Sequence, residues 1–230
     1  MPNRRVIHPL DRPVWSALTS RQAGLALGDE RALRMSPEYG PFAAAADASP
    51  ESQAALAAFE PDEQGFWLVE PDAVQPPPGM TIRTQARCCQ MIADQITVGE
   101  PRFEVTALTD TDAPEMLALA RLTKPGPFSV RTHRLGDFIG VRLDGRLAAM
   151  AGERMKLDGF TEVSGVCTHP DYRGRGYAGG LMRLVTRRIL ERGETAFLHA
   201  YESNTGAIEL YKSLGFVLRD TVTLTVLTRG

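Results

Sequence analysis

The residues in this sequence best suited to chemistry lie in one short loop, Arg173-Gly174-Arg175-Gly176. A β-rich run precedes it (Val163, Val166, Cys167, Thr168), and Ala178, Leu181, Met182, Val185 and Ile189 follow at helical spacing. The order is strand, glycine-rich loop, helix. Glycine lets the backbone turn tightly and approach a ligand closely, and a helix start presents unpaired N–H groups at the positive end of its dipole. That geometry suits a phosphate or pyrophosphate. Each loop arginine adds charge-assisted hydrogen bonds worth roughly 1.5–3 kcal/mol where water is partly excluded. Neither common nucleotide fingerprint is present: a P-loop would end in Gly-Lys-Ser/Thr, and a dinucleotide fold would need GxGxxG with an acid about 20 residues on.

The segment resembles the signature of the GNAT superfamily of acyl-CoA-dependent N-acetyltransferases: Arg or Gln, two residues, Gly, one residue, Gly or Ala. Arg173, Gly176 and Ala178 fill those positions. A His-Pro-Asp-Tyr lead-in stands at 169–172, and a second family block matches from Asn204 to Phe216, NTGAIELYKSLGF. The resemblance covers Phe103 to about Leu227. It implies a mixed, mostly antiparallel α/β sheet flanked by helices, with acetyl-CoA as cofactor. The acceptor it implies is a primary amine, on a peptide, a lysine side chain or a small molecule. It further implies that the backbone of Val166, Cys167 and Thr168 pairs with the pantetheine arm as though the arm were an added strand. Arg173, Gly174, Arg175, Gly176, Tyr177 and Ala178 would grip the diphosphate, and Asn204 would hydrogen-bond the arm. By itself Asn204 reads as a helix N-cap, and the two roles are compatible.

Acetyl transfer to an amine poses two proton problems. An amine with a pKa near about 10 must lose a proton before it can attack a thioester. Glu162 matches, without a gap, the position of the general-base glutamate in histone-acetylating members, so it is the expected base, directly or through a water. Read only as a strand carboxylate, it could equally lie at the surface or pair with Arg154 on a neighbouring strand. The departing thiolate needs a proton, and Tyr211 occupies the family's tyrosine position as the expected acid; its other reading is a structural tyrosine with its hydroxyl at the rim. Gly165, within the strand, predicts a bulge whose N–H groups could stabilise an oxyanion. Direct transfer in a ternary complex needs no acyl-cysteine at Cys167. The alternative function is a non-catalytic acyl-CoA-binding sensor, which would need neither Glu162 nor Tyr211.

Composition sets the outer limits. The 230 residues are 43% hydrophobic and 23% charged with a net charge of −2, ordinary for a globular chain and unlike a general nucleic-acid or anionic-membrane binder. No long apolar run and no secretory h-region occur, so a cytoplasmic monomer or homodimer is expected. Cys88, Cys89 and Cys167 make no disulfide framework and read as buried thiols. His133, His169 and His199 have no metal-ligand spacing, so no metal is expected, and His169 reads as positional.

Two parts are predicted, an accessory α+β domain over 1–100 and the acetyltransferase domain over 101–230. Residues 1–12 read as an arm, and the clusters from Trp15 to Met35 as helical in character. Ser49-Pro50-Glu51 starts a helix, and Phe66 to Val69 is a strand ended by Pro71. Gln75 to Gly79 is a stiff connection, and Met80 to Met91 and Gln95 to Val98 are candidate strands. The first part carries no recognisable chemistry. It would cover a flank of the catalytic sheet or, as a degenerate acetyltransferase-like half, help to shape the acceptor pocket. Beyond it, Phe103 to Ala107 is a strand and Asp112 caps a helix stopped at Lys124-Pro125. The loop around Phe128 would touch substrate or simply connect. Asp144-Gly145 and Asp158-Gly159 are hairpin turns.

Overall fold

The structure, a computed structural model, describes residues 8–230. In chain order its elements are α1 (Pro13–Leu18), β1 (Ala26–Gly28), β2 (Ala32–Met35), β3 (Ala43–Ala45), α2 (Pro50–Ala57), β4 (Phe66–Glu70), β5 (Met80–Ala93) and β6 (Thr106–Leu108). These are followed by α3 (Ala113–Thr123), β7 (Phe138–Leu143), β8 (Arg146–Leu157), β9 (Phe160–Thr168), α4 (Tyr177–Glu191), β10 (Thr195–Tyr201), α5 (Thr205–Leu214) and β11 (Val217–Arg229). The large sheet has eight strands in the order β4-β11-β5-β10-β9-β8-β7-β6, and β1-β2-β3 form a small antiparallel sheet. The sheet is mixed and mostly antiparallel; β9 and β10 are its one parallel hydrogen-bonded pair among the described residues.

The division at residue 100 is one of sequence, and the large sheet runs across it. β10, α5 and β11 form a crossover that leaves room for one strand, and β5 fills it, antiparallel to both β10 and β11. β5 alternates in burial along its second half: Cys88 packs with the N-terminal elements on one face, while Met91 and Ala93 pack with α4 on the other. Strand β10 repeats the pattern, Phe197 facing one layer and Ala196 and Leu198 the other. Removing the first hundred residues would therefore open the middle of the sheet.

Several local expectations are met and several are corrected. The Asp144-Gly145 turn has both residues at positive φ (50° and 77°), as a two-residue hairpin between strands of right-handed twist requires. Ser49 caps α2 by accepting from the Ser52 N–H. Of the apolar clusters after Leu18, Leu25 ends a single 3-10 turn and Leu27, Leu33 and Met35 lie in strands β1 and β2, not in an α-helix. Residues 1–7 of the expected arm lie outside the described residues. Its remainder is built into the core, with Leu10 fully buried. Gln95 to Val98 forms no strand. Helix α3 is entered through a capping box of Thr109 and Asp112, so Asp112 is the returning acid and Thr109 the cap. Phe128 turns inward against Phe138, leaving Lys124 to Pro127 to face the site.

Candidate active site

The site begins where two neighbouring strands part. Strands β9 and β10 pair in parallel only through Phe160–Glu162 and Thr195–Phe197. Beyond that point β9 is bonded only to β8, and β10 only to β5. Val163 to Thr168 consequently present a free strand edge to the wedge between them. A free edge is a row of unsatisfied N–H and C=O groups that accepts an extended partner.

Two bulges in the β8–β9 pair shape this edge. Between the pairs Met150/Cys167 and Gly152/Ser164, Ala151 faces two residues, Gly165 and Val166. Gly165 sits at φ +63°, and a Cβ there would lie 2.8 Å from the Phe138 ring, so glycine alone fits without displacement. The bulge expected at this glycine is present. Between Glu153/Val163 and Lys156/Thr161, Arg154 and Met155 together face Glu162. The Met155 N–H, freed from the regular ladder, donates to Glu162 Oε2 at 3.4 Å.

Past Thr168 the chain makes a 3-10 turn capped by His169, whose Nδ1 accepts from the Asp171 N–H, so His169 is positional as expected. The loop then enters α4 through Gly174 (φ +77°) and Gly176 (φ +78°), and no atom lies within 4 Å of where their side chains would begin. The α4 N-terminus has no side-chain cap, so its first N–H groups point into open space. A cavity of about 690 Å³ joins these pieces. It is lined by Val166, Cys167, Thr168, Arg173 to Ala178, Asn204 and Tyr211, which includes every residue expected to hold a cofactor. The cradle fits an extended ligand ending in a diphosphate: a free edge for an amide-bearing arm, then glycines, arginines and helix N–H groups for the anion. Arg175 stacks on Tyr172, its guanidinium carbon 5.4 Å from the ring centre. Arg183 and Tyr172 also line this cavity, and sequence reading missed both.

A second cavity, of about 980 Å³, opens on the other side of the wedge. Its walls include Phe42, Glu63, Trp67 and Arg83 from the first hundred residues, with Arg154 and His199 from the later strands. Both cavities are lined by Lys124, Pro125, Val166, Asn204 and Tyr211, which mark where they meet. The phenol of Tyr211 thus stands at the junction, and burial raises its pKa, so it keeps its proton at neutral pH. Asn204 Oδ1 caps α5 by accepting from the Ala207 N–H at 3.3 Å, which leaves its amide nitrogen for a ligand.

Glu162 is placed differently from the expectation of a base. It is 1% exposed and lines neither cavity. Its carboxylate takes a forked pair of hydrogen bonds from Arg154, Nε at 2.8 Å and Nη2 at 2.9 Å, and a third from His199 Nδ1 at 2.9 Å. Burial works to raise its pKa, but the charge of Arg154 and the hydrogen bonds from His199 and Arg154 outweigh it and hold it at about 2. So held, it is a poor acceptor for an ammonium proton. Of its two simpler readings, the pairing with Arg154 is the one seen.

His199 is equally constrained. Gln90 accepts from Arg219 Nη1 at 2.8 Å, which fixes its amide, so its nitrogen donates both to the Leu10 carbonyl at 2.8 Å and to His199 Nε2 at 3.0 Å. His199 must then carry its proton on Nδ1, directed at Glu162. Arg219 continues the chain to Asp11. A line of polar groups, Asp11-Arg219-Gln90-His199-Glu162-Arg154, buried at Gln90 and Glu162 and partly buried elsewhere, thereby ties the N-terminal segment to the floor of the second cavity. Cys167 is buried with its pKa pushed up to about 11 by desolvation, the environment of a structural thiol. Among the described residues, no group of three or more His, Cys, Asp or Glu could hold a metal ion, and no helix is long and apolar enough to cross a membrane.

A bulged free strand edge running into a glycine-arginine loop and helix start offers a site for an extended ligand with an anionic end, and comparison with known proteins identifies the class of protein that carries it. Residues 138–225 match the family described as FR47-like protein. A crystal structure from Novosphingobium aromaticivorans, assigned to the GNAT acetyltransferases, is 49% identical, covers 97% of this chain and 99% of its own, and superposes with a TM-score of 0.88. The ribosomal protein bS18 alanine N-acetyltransferase of Salmonella typhimurium is 30% identical over 118 residues, 49% of this chain and 79% of its own length. A GCN5-related N-acetyltransferase structure from Kribbella flavida, 22% identical with a TM-score of 0.58, shares the fold over 93% of this chain. The chain belongs to the GNAT family of N-acetyltransferases.

Proposed function

We propose that this enzyme moves an acetyl group from acetyl-CoA to a primary amine by direct attack in a ternary complex. The observation that carries the reading is the meeting of two cavities at Val166, Asn204 and Tyr211, one cavity suited to an extended diphosphate ligand and the other open for an acceptor. Acetyl-CoA supplies the activated acetyl thioester. The edge of Val166 to Thr168 orients its arm, and Arg173 to Ala178 hold its diphosphate. The bulge at Gly165 turns a backbone N–H of Val166 or Cys167 toward the developing oxyanion.

The amine nitrogen bonds to the acetyl carbon as the carbon–sulfur bond breaks. Tyr211 gives its phenolic proton to the departing sulfur, and the proton lost by the amine restores the phenol by way of water. No buried base is required for the first step. Lys124, Arg83 and Arg154 line the acceptor cavity, and like charges disfavour an ammonium, favouring the neutral amine that attacks. Glu162 acts through the groups it positions. The bS18 alanine acetyltransferases among its relatives make a protein N-terminus one acceptor to include in any assay.

The test is thiol release from acetyl-CoA over a panel of amines and peptides, comparing parent and Tyr211→Phe. The variant should lose on the order of 100-fold or more in kcat while CoA affinity stays within about twofold. Equal turnover in both would remove Tyr211 as the acid.

A further inference from the structure

The charge pattern of the acceptor cavity has a second consequence beyond favouring a neutral amine. Lining it are three cations, Arg83, Lys124 and Arg154, against one carboxylate, Glu63. Even with buried Glu162 counted beneath Arg154, the cavity remains positive.

Arg154 is the informative member. Its hydrogen bonds go to Glu162 through Nε and Nη2, which leaves Nη1 free of a hydrogen-bond partner among the described residues. Nη1 faces the Lys124-to-Pro127 loop: a Cβ added at Gly126 would stand 3.4 Å from it. Phe42 lies under the guanidinium, 4.9 Å from its carbon to the ring centre. The side chain is therefore clamped on one edge by a carboxylate and on one face by an aromatic ring. The Glu162-His199-Gln90 line fixes the clamp. A guanidinium so held, with one unspent N–H edge lining the cavity, is prepared to receive an anionic oxygen, and little side-chain entropy remains to be lost when it does. Beside the polar side chains of Gln64, His199 and Asn204, the cavity has an apolar wall that includes Phe42, Trp67, Val69 and Leu224.

Building on the reading of this cavity as the acceptor side of an acetyltransferase, we infer that the acceptor is a small molecule of amino-acid type, carrying a carboxylate as well as its amine. Arg154 Nη1 binds the carboxylate, the apolar wall takes an apolar or aromatic side chain, and the amine is directed to the junction at Tyr211. The products are the N-acetylamino acid and free thiol, the sulfur taking the Tyr211 proton as above.

The test pairs phenylalanine with phenylalaninamide, and includes a short peptide beginning with alanine, all with acetyl-CoA and thiol release as readout. The amide's amine is the less basic of the two and so the more reactive by itself, which biases the comparison against the proposal. The acid should nevertheless exceed the amide and the peptide by about tenfold or more in kcat/KM. In Arg154→Gln/Glu162→Gln, which removes both charges together so that neither is left buried alone, the preference should fall to about one. Binding is read separately as the heat of N-acetylphenylalanine or its amide added to protein saturated with CoA, the acid binding about tenfold or more tightly. Acetylation of the amide or the peptide as fast as the acid, or equal binding of the two acetylated compounds, would overturn carboxylate recognition while leaving acetyl transfer in place. Selective binding of N-acetylphenylalanine with no turnover of any amine would keep the carboxylate site and overturn the transfer reading.

Discussion

The two sides of the wedge are built by opposite strategies. The cofactor side is almost entirely local: one strand, one loop and one helix start, continuous from Val166 to Ala178, with Asn204 added from the cap of α5 and Tyr211 from its body. The acceptor side draws on separated segments around Phe42, Trp67, Arg83, Pro125, Arg154, His199 and Leu224. On the cofactor side, backbone groups and exposed arginines do the holding, so the arginines are replaceable without harm to the fold. On the acceptor side a partly buried ionic line does both jobs, and binding and stability are entangled there. A common ligand can be met by a short portable motif, whereas selectivity for an acceptor is made by tertiary assembly.

This contrast is broken or sharpened most strongly at Glu162. Glu162→Gln leaves the Arg154 charge without its partner and should destabilise the protein by about 3 kcal/mol, measured by urea denaturation. Adding Arg154→Met should restore more than half of that loss. The same pair sets a pH window. Because the folded-state pKa is depressed to about 2, its stabilisation is fully present above the ordinary glutamate value near about 4.3 and is lost as pH falls from there toward 2. Acid unfolding should therefore show a step in that window in the parent that is absent from Arg154→Met/Glu162→Gln.

Next in size is Arg173→Ala, which removes a charge-assisted contact to the diphosphate. It should weaken CoA about 10- to 100-fold by calorimetry with the urea midpoint unchanged. A large shift in that midpoint would erase the proposed division of labour. The smallest effect is expected from Trp67→Ala. Trp67 lies in β4, away from the cofactor loop, so the substitution should raise the acceptor KM about three- to tenfold and leave CoA affinity untouched.

The same contrast explains what could be read from the sequence. The cofactor residues from Val166 to Ala178 were legible because their order in the chain is their order in space, and Gly165, Gly174 and Gly176 carry a backbone requirement that survives as residue type. The meander of β7, β8 and β9 was legible from the turn pairs Asp144-Gly145 and Asp158-Gly159. The role of Glu162 was not. Its position matched a family pattern, but its chemistry is set by Arg154 on one neighbouring strand and His199 on the other, a pairing that two bulges and a parallel register create. Strand β5 hid its place for a related reason: nothing local tells a strand that it will lie between β10 and β11, more than a hundred residues later. Arg183 and Tyr172 were missed because each has an ordinary reading, on a solvated helix face and in a turn.

The central claim is that the edge, loop and helix start from Val166 to Ala178 bind coenzyme A. Calorimetric titration of the intact protein with CoA and acetyl-CoA tests it most directly. A saturable heat with one ligand per chain, weakened by Arg173→Ala, is expected; no heat from either ligand, with the protein folded by circular dichroism, would contradict it.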